Sequence, residues 1–272
     1  MAAERGGLRD LEVMVDLLWR THRPGTRGPR GSLSVDRIVA AAIEIADAEG
    51  LGGVSMRKVA ERLGVTTMSL YRYVPRKDDL LDLMFEAASG QPDTTDWPDD
   101  WRGRLTAYAS GCRKLFLRRP WMLDIGISGP PMGPNNLMWM EVVLASLVDT
   151  GLDEGDMVGV LMILSGYAMN EARQEVSMRR AAPLTGVTYE EWGEVYGKML
   201  ARVVDDGRYP TVARVVRSGA FDAGSGNADE DFAYGVGFIL DGVAALIRER
   251  GGSDTAQAVR DPQGAGERPA GR

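Results

Sequence analysis

The sequence contains almost no cysteine or histidine. Cys112 is the only cysteine and His22 the only histidine in 272 residues. One cysteine excludes an internal disulfide, and zinc sites and histidine-dependent catalytic triads need more of these side chains. His22 lies in a segment rich in Pro, Gly and Arg, where we expect its side chain to titrate in solvent. We predict no metal and no other cofactor.

Long apolar runs are also missing. No stretch of about 20 apolar residues occurs, which is what a membrane-spanning helix requires. The run LEVMVDLLW near the N-terminus contains Glu12 and Asp16, so it does not resemble a signal peptide. Hydrophobic residues make up 44% of the chain and charged residues 26%, which is ordinary for a globular protein. We therefore expect a cytoplasmic protein that does not associate with membranes.

Two further patterns are absent. No segment shows the alternation of apolar and polar residues that predicts a β-strand, so the predicted fold is all-α. The sequence has no nucleophile–base pair, no metal-ligand cluster and no phosphate-binding glycine loop after a strand. The glycines at 234–237 (YGVG) fall within a predicted helix. We predict that the protein is not an enzyme.

Lysine is scarce and charge is unevenly distributed. The chain has 4 lysines and 28 arginines, and its net charge is −7. Residues 20–77 contain eleven basic and five acidic side chains, a net charge of +6, whereas the remainder carries −13. A basic end on an acidic body is typical of a protein that meets the phosphates of a nucleic acid with one surface only.

The basic end contains the most informative segment, residues 55–81 (SMRKVAERLGVTTMSLYRYVPRKDDLL). Ser55 and Thr66 are each placed to cap the start of a helix, and Gly64 can end the first helix in a left-handed conformation. Pro75 prevents the second helix from continuing. A helix, a glycine turn and a short polar-aromatic helix form a helix-turn-helix unit, whose second helix lies in the major groove of DNA.

Together with SVDRIVAAAIEIADAEGLGGV at 34–54, this segment resembles the DNA-binding domain of the TetR family of transcriptional regulators. The shared pattern is a first helix ending in Ala-Glu-Gly, followed by Ser-Met-Arg-Lys-Val-Ala, Leu-Gly-Val, Leu-Tyr-Arg-Tyr-Val and Lys-Asp-Asp-Leu-Leu. The remaining chain is similar, more loosely, to a tetracycline-repressor-like effector domain. The resemblance implies a three-helix DNA-binding domain followed by a larger helical domain that binds a ligand and dimerises.

The predicted organisation has four parts. They are an N-terminal helix and flexible basic arm (1–33), the DNA-binding domain (34–88), the ligand-binding and dimerisation domain (97–250) and a disordered tail (251–272). Arg27 and Arg30 of the arm either belong to a plain linker or reach a groove of DNA. In the body we expect helices at about 99–119 (capped by Asp99), 135–150, 153–178, 188–205, 210–218 and 229–249.

The resemblance also implies a function. We expect a homodimeric repressor that binds double-stranded operator DNA and is released by a hydrophobic small molecule. The fourth helix, at about 76–88, would link the two domains. The same fold and DNA site suit an activator, or a regulator that answers to a protein partner without a small-molecule inducer. The sequence does not distinguish these alternatives.

Candidate DNA contacts follow from the phase of the second helix. Leu70 must face inward to anchor so short a helix, which places Thr66, Thr67, Met68, Tyr71 and Arg72 outward. By resemblance, Arg57, Thr67, Met68 and Tyr71 face bases, and Ser55, Thr66, Ser69, Tyr73 and Lys77 hold phosphate. Arg72 fits either guanine or phosphate. Alternatively, Tyr73 packs on the first helix and Met68 has no partner, while Lys58, Arg62 and Arg76 form a solvated face.

The resemblance implies an effector pocket in the body. Its candidate lining residues are Tyr108, Cys112, Phe116, Trp121, Met132, Trp139, Met162, Tyr167 and Asn170. Methionine and aromatic residues at helical spacing also suit a plain core. The magnesium–tetracycline complex bound in the family relies on histidine, which this body lacks, so we do not expect a metal-chelated tetracycline.

The last helix is the candidate dimer contact. It carries an apolar stripe of Phe232, Val236, Ile239, Leu240, Val243 and Ile247, with Gly235, Gly242 and Ala244 allowing close approach. Helix 153–178 adds Val158, Leu161, Met162 and Met169. A two-fold dimer would read half-sites ~34–36 Å apart or multiples of that spacing. The alternative is that these stripes face only the core of one chain.

Overall fold

Helices are the only regular secondary structure in the residues that the structure, a computed structural model, describes: 11–21, 33–126, 130, 132–205, 207–221 and 227–251. A helical segment at 11–18 precedes ten helices. These are α1 (Val35–Glu49), α2 (Met56–Leu63), α3 (Thr67–Tyr71), α4 (Lys77–Ser89), α5 (Trp101–Arg118), α6 (Pro134–Leu147), α7 (Glu154–Thr185), α8 (Trp192–Val203), α9 (Pro210–Arg217) and α10 (Ala228–Glu249). Short 3₁₀ turns occupy Leu51–Gly53, Pro120–Asp124 and Val148–Thr150. Arg27, Arg30 and the predicted disordered tail beyond Gly251 lie outside the described residues.

The first three helices form a small domain that α4 closes. Ser34 caps α1, since its hydroxyl accepts a hydrogen bond from the Arg37 amide at 3.2 Å. α1 packs against both α2 and α4. The fully buried residues at these contacts are Ile38, Ala42, Ile45, Val59, Leu80, Leu83 and Met84. α4 therefore belongs to the core of the DNA-binding domain although it also contacts α6 of the body.

The body is a helical bundle built around α5 and α7. α5 packs along α7 and also contacts α6 and α10. Asp100 caps α5 by accepting from the Gly103 amide at 2.9 Å, so the prediction of Asp99 as the cap is off by one residue. The predicted helix at 135–150 ends at Leu147 and continues as a 3₁₀ turn. α8 and α9 pack mainly against each other.

α7 is longer than the sequence indicated. The prediction ended it at residue 178, but the helix continues to Thr185 and ends at Gly186, whose φ is +70°. The last two turns lack apolar periodicity, which is why the pattern did not reveal them. Arginine and alanine in that stretch have high helix propensity, and Pro183 removes only one amide donor close to the helix end.

One apolar core spans both predicted domains. It joins Ile38 and Leu80 of the DNA-binding domain to Trp121 of the body, and it includes Ala172 on α7. Three buried side chains of the N-terminal helical segment, Met14, Leu17 and Leu18, belong to the same core. The linker near residues 90–100 therefore separates the domains in sequence, while apolar packing joins them in space.

The orientation of α10 corrects the predicted dimer contact. Five of the six stripe residues (Phe232, Val236, Leu240, Val243 and Ile247) are buried in the chain's own core and the sixth, Ile239, packs against it. Gly235 allows α10 to approach Tyr167 of the same chain, because a Cβ there would lie 2.0 Å from the Tyr167 hydroxyl. The outward face carries Tyr234 and Phe238, which are 72% and 63% exposed. On α7, Leu161 is buried as well, whereas Val158 and Met162 are exposed.

Candidate functional site

The helix-turn-helix has the predicted capping. The Ser55 hydroxyl accepts from the Lys58 amide at 3.2 Å, and the Thr66 hydroxyl accepts from the Ser69 amide at 3.3 Å. Gly64 ends α2 with φ +68° and ψ 30°, a left-handed conformation that side chains rarely adopt. These three residues therefore mark the start of α2, the turn after it and the start of α3.

α3 presents one face to solvent and buries the other. Leu70 is fully buried, as predicted, whereas Met68 is 72% exposed and Tyr71 is also exposed. α3 ends at Tyr71, two residues before the predicted end, and Pro75 disfavours helical conformation at Val74. Met68 and Tyr71 are thus free to enter a groove.

Most cations of the domain are already neutralised by its own carboxylates. The pairs are Arg57 with Glu61 at 2.8 Å, Lys58 with Glu49, Arg62 with Glu44 at 2.7 Å, and Arg76 with Asp79 at 2.8 Å. Arg72 and Lys77 have neither an ionic nor a hydrogen-bond partner among the described residues. These two cations are available to an external anion at no cost of breaking an internal pair.

Four predicted contact residues have internal partners. The Arg57 Nε–H donates a hydrogen bond to Glu61 that raises the pKa of the guanidinium, and this bond leaves the terminal amino groups of Arg57 unengaged by Glu61. Tyr73 packs partly against the apolar core, which leaves its hydroxyl as the group that can reach phosphate. The hydroxyls of Thr66 and Ser69 lie 2.9 Å apart and form a hydrogen bond in which either can donate.

Several predicted effector residues fill the body core. Tyr108 is buried, lies 2.8 Å from the Ser165 hydroxyl and meets Trp139 edge to face at 5.8 Å. Burial raises the pKa of the neighbouring Cys112 thiol to about 12. Trp139 donates its indole N–H to the Gly90 carbonyl at 3.0 Å, which ties α6 to the end of α4.

Other predicted effector residues join the body to the DNA-binding domain. The Trp121 indole N–H donates to Asp47 of α1 at 2.6 Å. Phe116 is buried in the same core and meets Phe85 of α4 at 6.4 Å. The Met132 carbonyl accepts from the Trp19 indole at 3.0 Å. The predicted pocket residues Trp121 and Phe116 therefore act as contacts between domains.

The remaining predicted lining residues lie elsewhere. Met162 and Asn170 are exposed, because the buried side of α7 is set by Leu164 and Ala168. Neither lines one of the two cavities described below, and their contact with a ligand stays a prediction. Tyr167 stacks on Phe232 at 5.5 Å and supports α10.

Two cavities open along the contact between the domains. The larger, of about 520 Å³, is lined by Phe85 of α4, the segment Met122, Leu123, Asp124, Ile125 and Gly126, and Met169 and Arg173 of α7. The smaller, of about 250 Å³, is lined by Ser89, Gln91, Gly111, Lys114, Leu115, Arg118 and Trp139. Only Trp139 was among the predicted lining residues. Pro120 indicated that the chain is irregular near residues 122–126. It gave no sign that these residues line a cavity together with α4 and α7.

A buried carboxylate connects α4 to α6. Glu86 accepts hydrogen bonds from the amides of Asn135 and Asn136, in the first turn of α6, and from the Asn136 side chain. Negative charge is favourable at a helix N-terminus. A Cβ at Gly133 would lie 2.3 Å from the Glu86 carboxyl group, so glycine is needed there for the close approach. No local sequence signal marks Glu86, because its partners are distant in the chain.

No group of three or more His, Cys, Asp or Glu side chains within the described ranges is placed to hold a metal ion. Within the same ranges, every helix is too short or too polar to cross a membrane.

An exposed, capped second helix beside two free cations, on a small domain joined to a helical bundle, defines a helix-turn-helix DNA-binding regulator. The chain belongs to the TetR family of transcriptional regulators. Residues 38–84 match the bacterial regulatory proteins of the tetR family, and residues 92–247 match the tetracyclin repressor-like C-terminal domain.

Similar proteins are named repressors. The chain is 39% identical over 253 residues to the HTH-type transcriptional repressor DrrR1 of Streptomyces coeruleorubidus, with 92% of each chain covered. It is 28% identical over 215 residues to the class A tetracycline repressor from Escherichia coli, covering 78% and 91%. The structure of Streptomyces coelicolor ActR in complex with actinorhodin aligns with a TM-score of 0.66 at 27% identity, covering 79% of this chain and 98% of ActR.

Proposed function

We propose that two copies of the chain bind a two-fold operator and block transcription, and that a hydrophobic small molecule releases them. The observation that carries the DNA-binding part is the outward face of α3. Leu70 anchors the helix, Met68 and Tyr71 point outward, and Arg72 and Lys77 lack partners among the described residues. Base contacts from Met68 and Tyr71 would set the sequence, and the two cations would set affinity.

The exposed faces of α7 and α10 support the dimer. These helices pack against each other, and large apolar side chains lie on their outer surfaces: Val158, Met162, Ile163, Tyr234 and Phe238. Apolar exposure of this extent marks an interaction surface. A two-fold contact there would present two α3 helices to successive major grooves.

The position of the larger cavity supports release by a ligand. Phe85 on its wall belongs to α4, which packs on α1 in the DNA-binding domain and carries Glu86 against α6. A ligand that favours a different placement of α4 would shift the dimer towards a form that fits the operator poorly. The complex of ActR with actinorhodin is consistent with such a ligand.

The DNA-binding proposal is tested by comparing two arginines. Genomic fragments selected by the full-length protein supply the operator for gel-shift titrations at several salt concentrations. Arg72→Gln should weaken binding about ten-fold and reduce the salt slope by about 1, because one phosphate or base contact is lost. Arg62→Gln should change affinity less than about two-fold, since Arg62 is paired with Glu44. Equal effects of both substitutions would contradict the proposed interface.

A further inference from the structure

Five of the eight residues that line the larger cavity are apolar. Phe85, Met122, Leu123, Ile125 and Met169 supply its hydrophobic surface. A volume of about 520 Å³ falls within the range of small-molecule sites and accommodates a molecule of two or three fused or linked rings. Phe85 offers an aromatic face, and the flexible Met169 side chain can adapt to the shape of a ring system.

Two charged residues line the same cavity, but only one of them is neutralised. Asp124 is paired with Arg180 of α7 at 3.3 Å. Arg173, about two turns earlier on α7, has no ionic or hydrogen-bond partner in the described part of the chain. The other arginine of this stretch, Arg179, is paired with Glu175. The cavity therefore carries one cation without a counter-charge, at the edge of an apolar surface.

We propose that this cavity binds an organic anion, whose ring system packs between Phe85 and Met169 and whose acid group pairs with Arg173. The inference rests on the proposed function, because it specifies the class of ligand that the regulator detects. A guanidinium holds a carboxylate or sulfonate through two parallel hydrogen bonds, which fixes the orientation of the rings. Cationic compounds of the same size should bind poorly, since Asp124 is already paired.

Two dyes with the same skeleton test the charge requirement. 1-Anilinonaphthalene-8-sulfonate carries an acid group, and N-phenyl-1-naphthylamine is its neutral counterpart. Fluorescence titration of the full-length protein should show that Arg173→Gln weakens binding of the anionic dye about ten-fold, which corresponds to about 1.4 kcal/mol. Binding of the neutral dye should change less than about two-fold. Arg173→Lys, which keeps the charge, should recover most of the affinity for the anionic dye.

Two further variants locate the site. Arg102→Gln removes an exposed arginine on α5 that pairs with Asp241 and does not line the cavity, and it should leave both dyes unaffected. Met169→Trp, with its fold checked by circular dichroism, should weaken both dyes because it fills the cavity. The inference is overturned if Arg173→Gln and Arg102→Gln act alike, or if Met169→Trp leaves the anionic dye bound as before. Neither result affects the gel-shift comparison of Arg72 and Arg62, so the two proposals can fail separately.

Discussion

Gly64 shows how much of the DNA-binding surface depends on single residues. Its φ of +68° lies in the region that side chains avoid, and open space surrounds the position where a Cβ would be. The cost of a substitution is therefore backbone strain alone, without a steric clash. The turn between α2 and α3 fixes the direction in which α3 leaves the domain.

Gly64→Ala should lower the free energy of unfolding by about 1–2 kcal/mol, the cost of placing a side chain in the left-handed conformation. Gly52→Ala is the matched control, because Gly52 also faces open space but has no positive φ. It should change stability by less than about 0.5 kcal/mol. Urea denaturation followed by circular dichroism measures both, and a similar loss in the two variants would refute the strain argument.

The roles of single residues in capping and anchoring helices could be predicted well from the sequence. Ser55, Gly64 and Thr66 act on neighbours within three or four positions, so their caps could be predicted from local chemistry alone. Leu70 could be placed because α3 is too short to have more than one anchor. Glu86 could not be found this way, because its partners Asn135 and Asn136 lie about fifty positions away.

Among the helices, α4 has contacts on both sides of the domain boundary. Leu80 and Leu83 fix it in the DNA-binding domain, and the Glu86 carboxylate fixes its other end to the first turn of α6. Any shift of α6 relative to α1 must either carry α4 along or break the hydrogen bonds of Glu86. This helix therefore has two discrete sets of contacts through which the domains are coupled.

Glu86→Gln should destabilise the protein by about 1–3 kcal/mol, because a buried, charge-assisted set of hydrogen bonds loses its charge. Glu141→Gln on the exposed side of α6 provides the control and should have little effect. Amide hydrogen exchange should show faster exchange in the first turn of α6 only for Glu86→Gln. Unchanged exchange there would exclude Glu86 as the connection between the helices.

The N-terminal helical segment is a second element with contacts on both domains. The Trp19 indole N–H donates a hydrogen bond to the Met132 carbonyl, which precedes α6 of the body. Arg20 forms a salt bridge with Asp36 of α1 at 2.8 Å. Leu17→Ala should cost about 2–5 kcal/mol, because the side chain is only 5% exposed. Leu11→Ala, at a site 51% exposed, should be nearly neutral in the same thermal unfolding measurement. A neutral Leu17→Ala would show that the segment is dispensable.

The phase of α10 illustrates what periodicity cannot decide. Phe232, Val236 and Leu240 form one apolar stripe, and Tyr234 and Phe238 form another on the opposite side. Periodicity identifies the first stripe as apolar, but it does not decide whether that stripe faces a partner or the core of the same chain. Packing against α5 and α7 selects the first stripe and leaves the second in solvent.

At the scale of the whole molecule, the exposed apolar side chains of α7 and α10 are the expected contact of a dimer. Met162→Glu combined with Phe238→Glu should convert a dimer into monomers, because charge would be buried without a partner. Leu184→Glu is the control, since Leu184 is 90% exposed but lies at the far end of α7. Light scattering coupled to size exclusion distinguishes the outcomes, and a dimer that survives the double substitution would place the contact elsewhere.

The bond between Trp121 and Asp47 has a practical consequence for hybrid regulators. A designer who grafts residues 34–88 onto the effector half of a relative would cut at the linker and discard this bond, and would also set Glu86 against a foreign first turn of α6. Under the proposed function, we expect such a chimera to bind its operator yet respond weakly to its ligand. A functional graft must therefore also include Trp121, Gly133, Asn135 and Asn136.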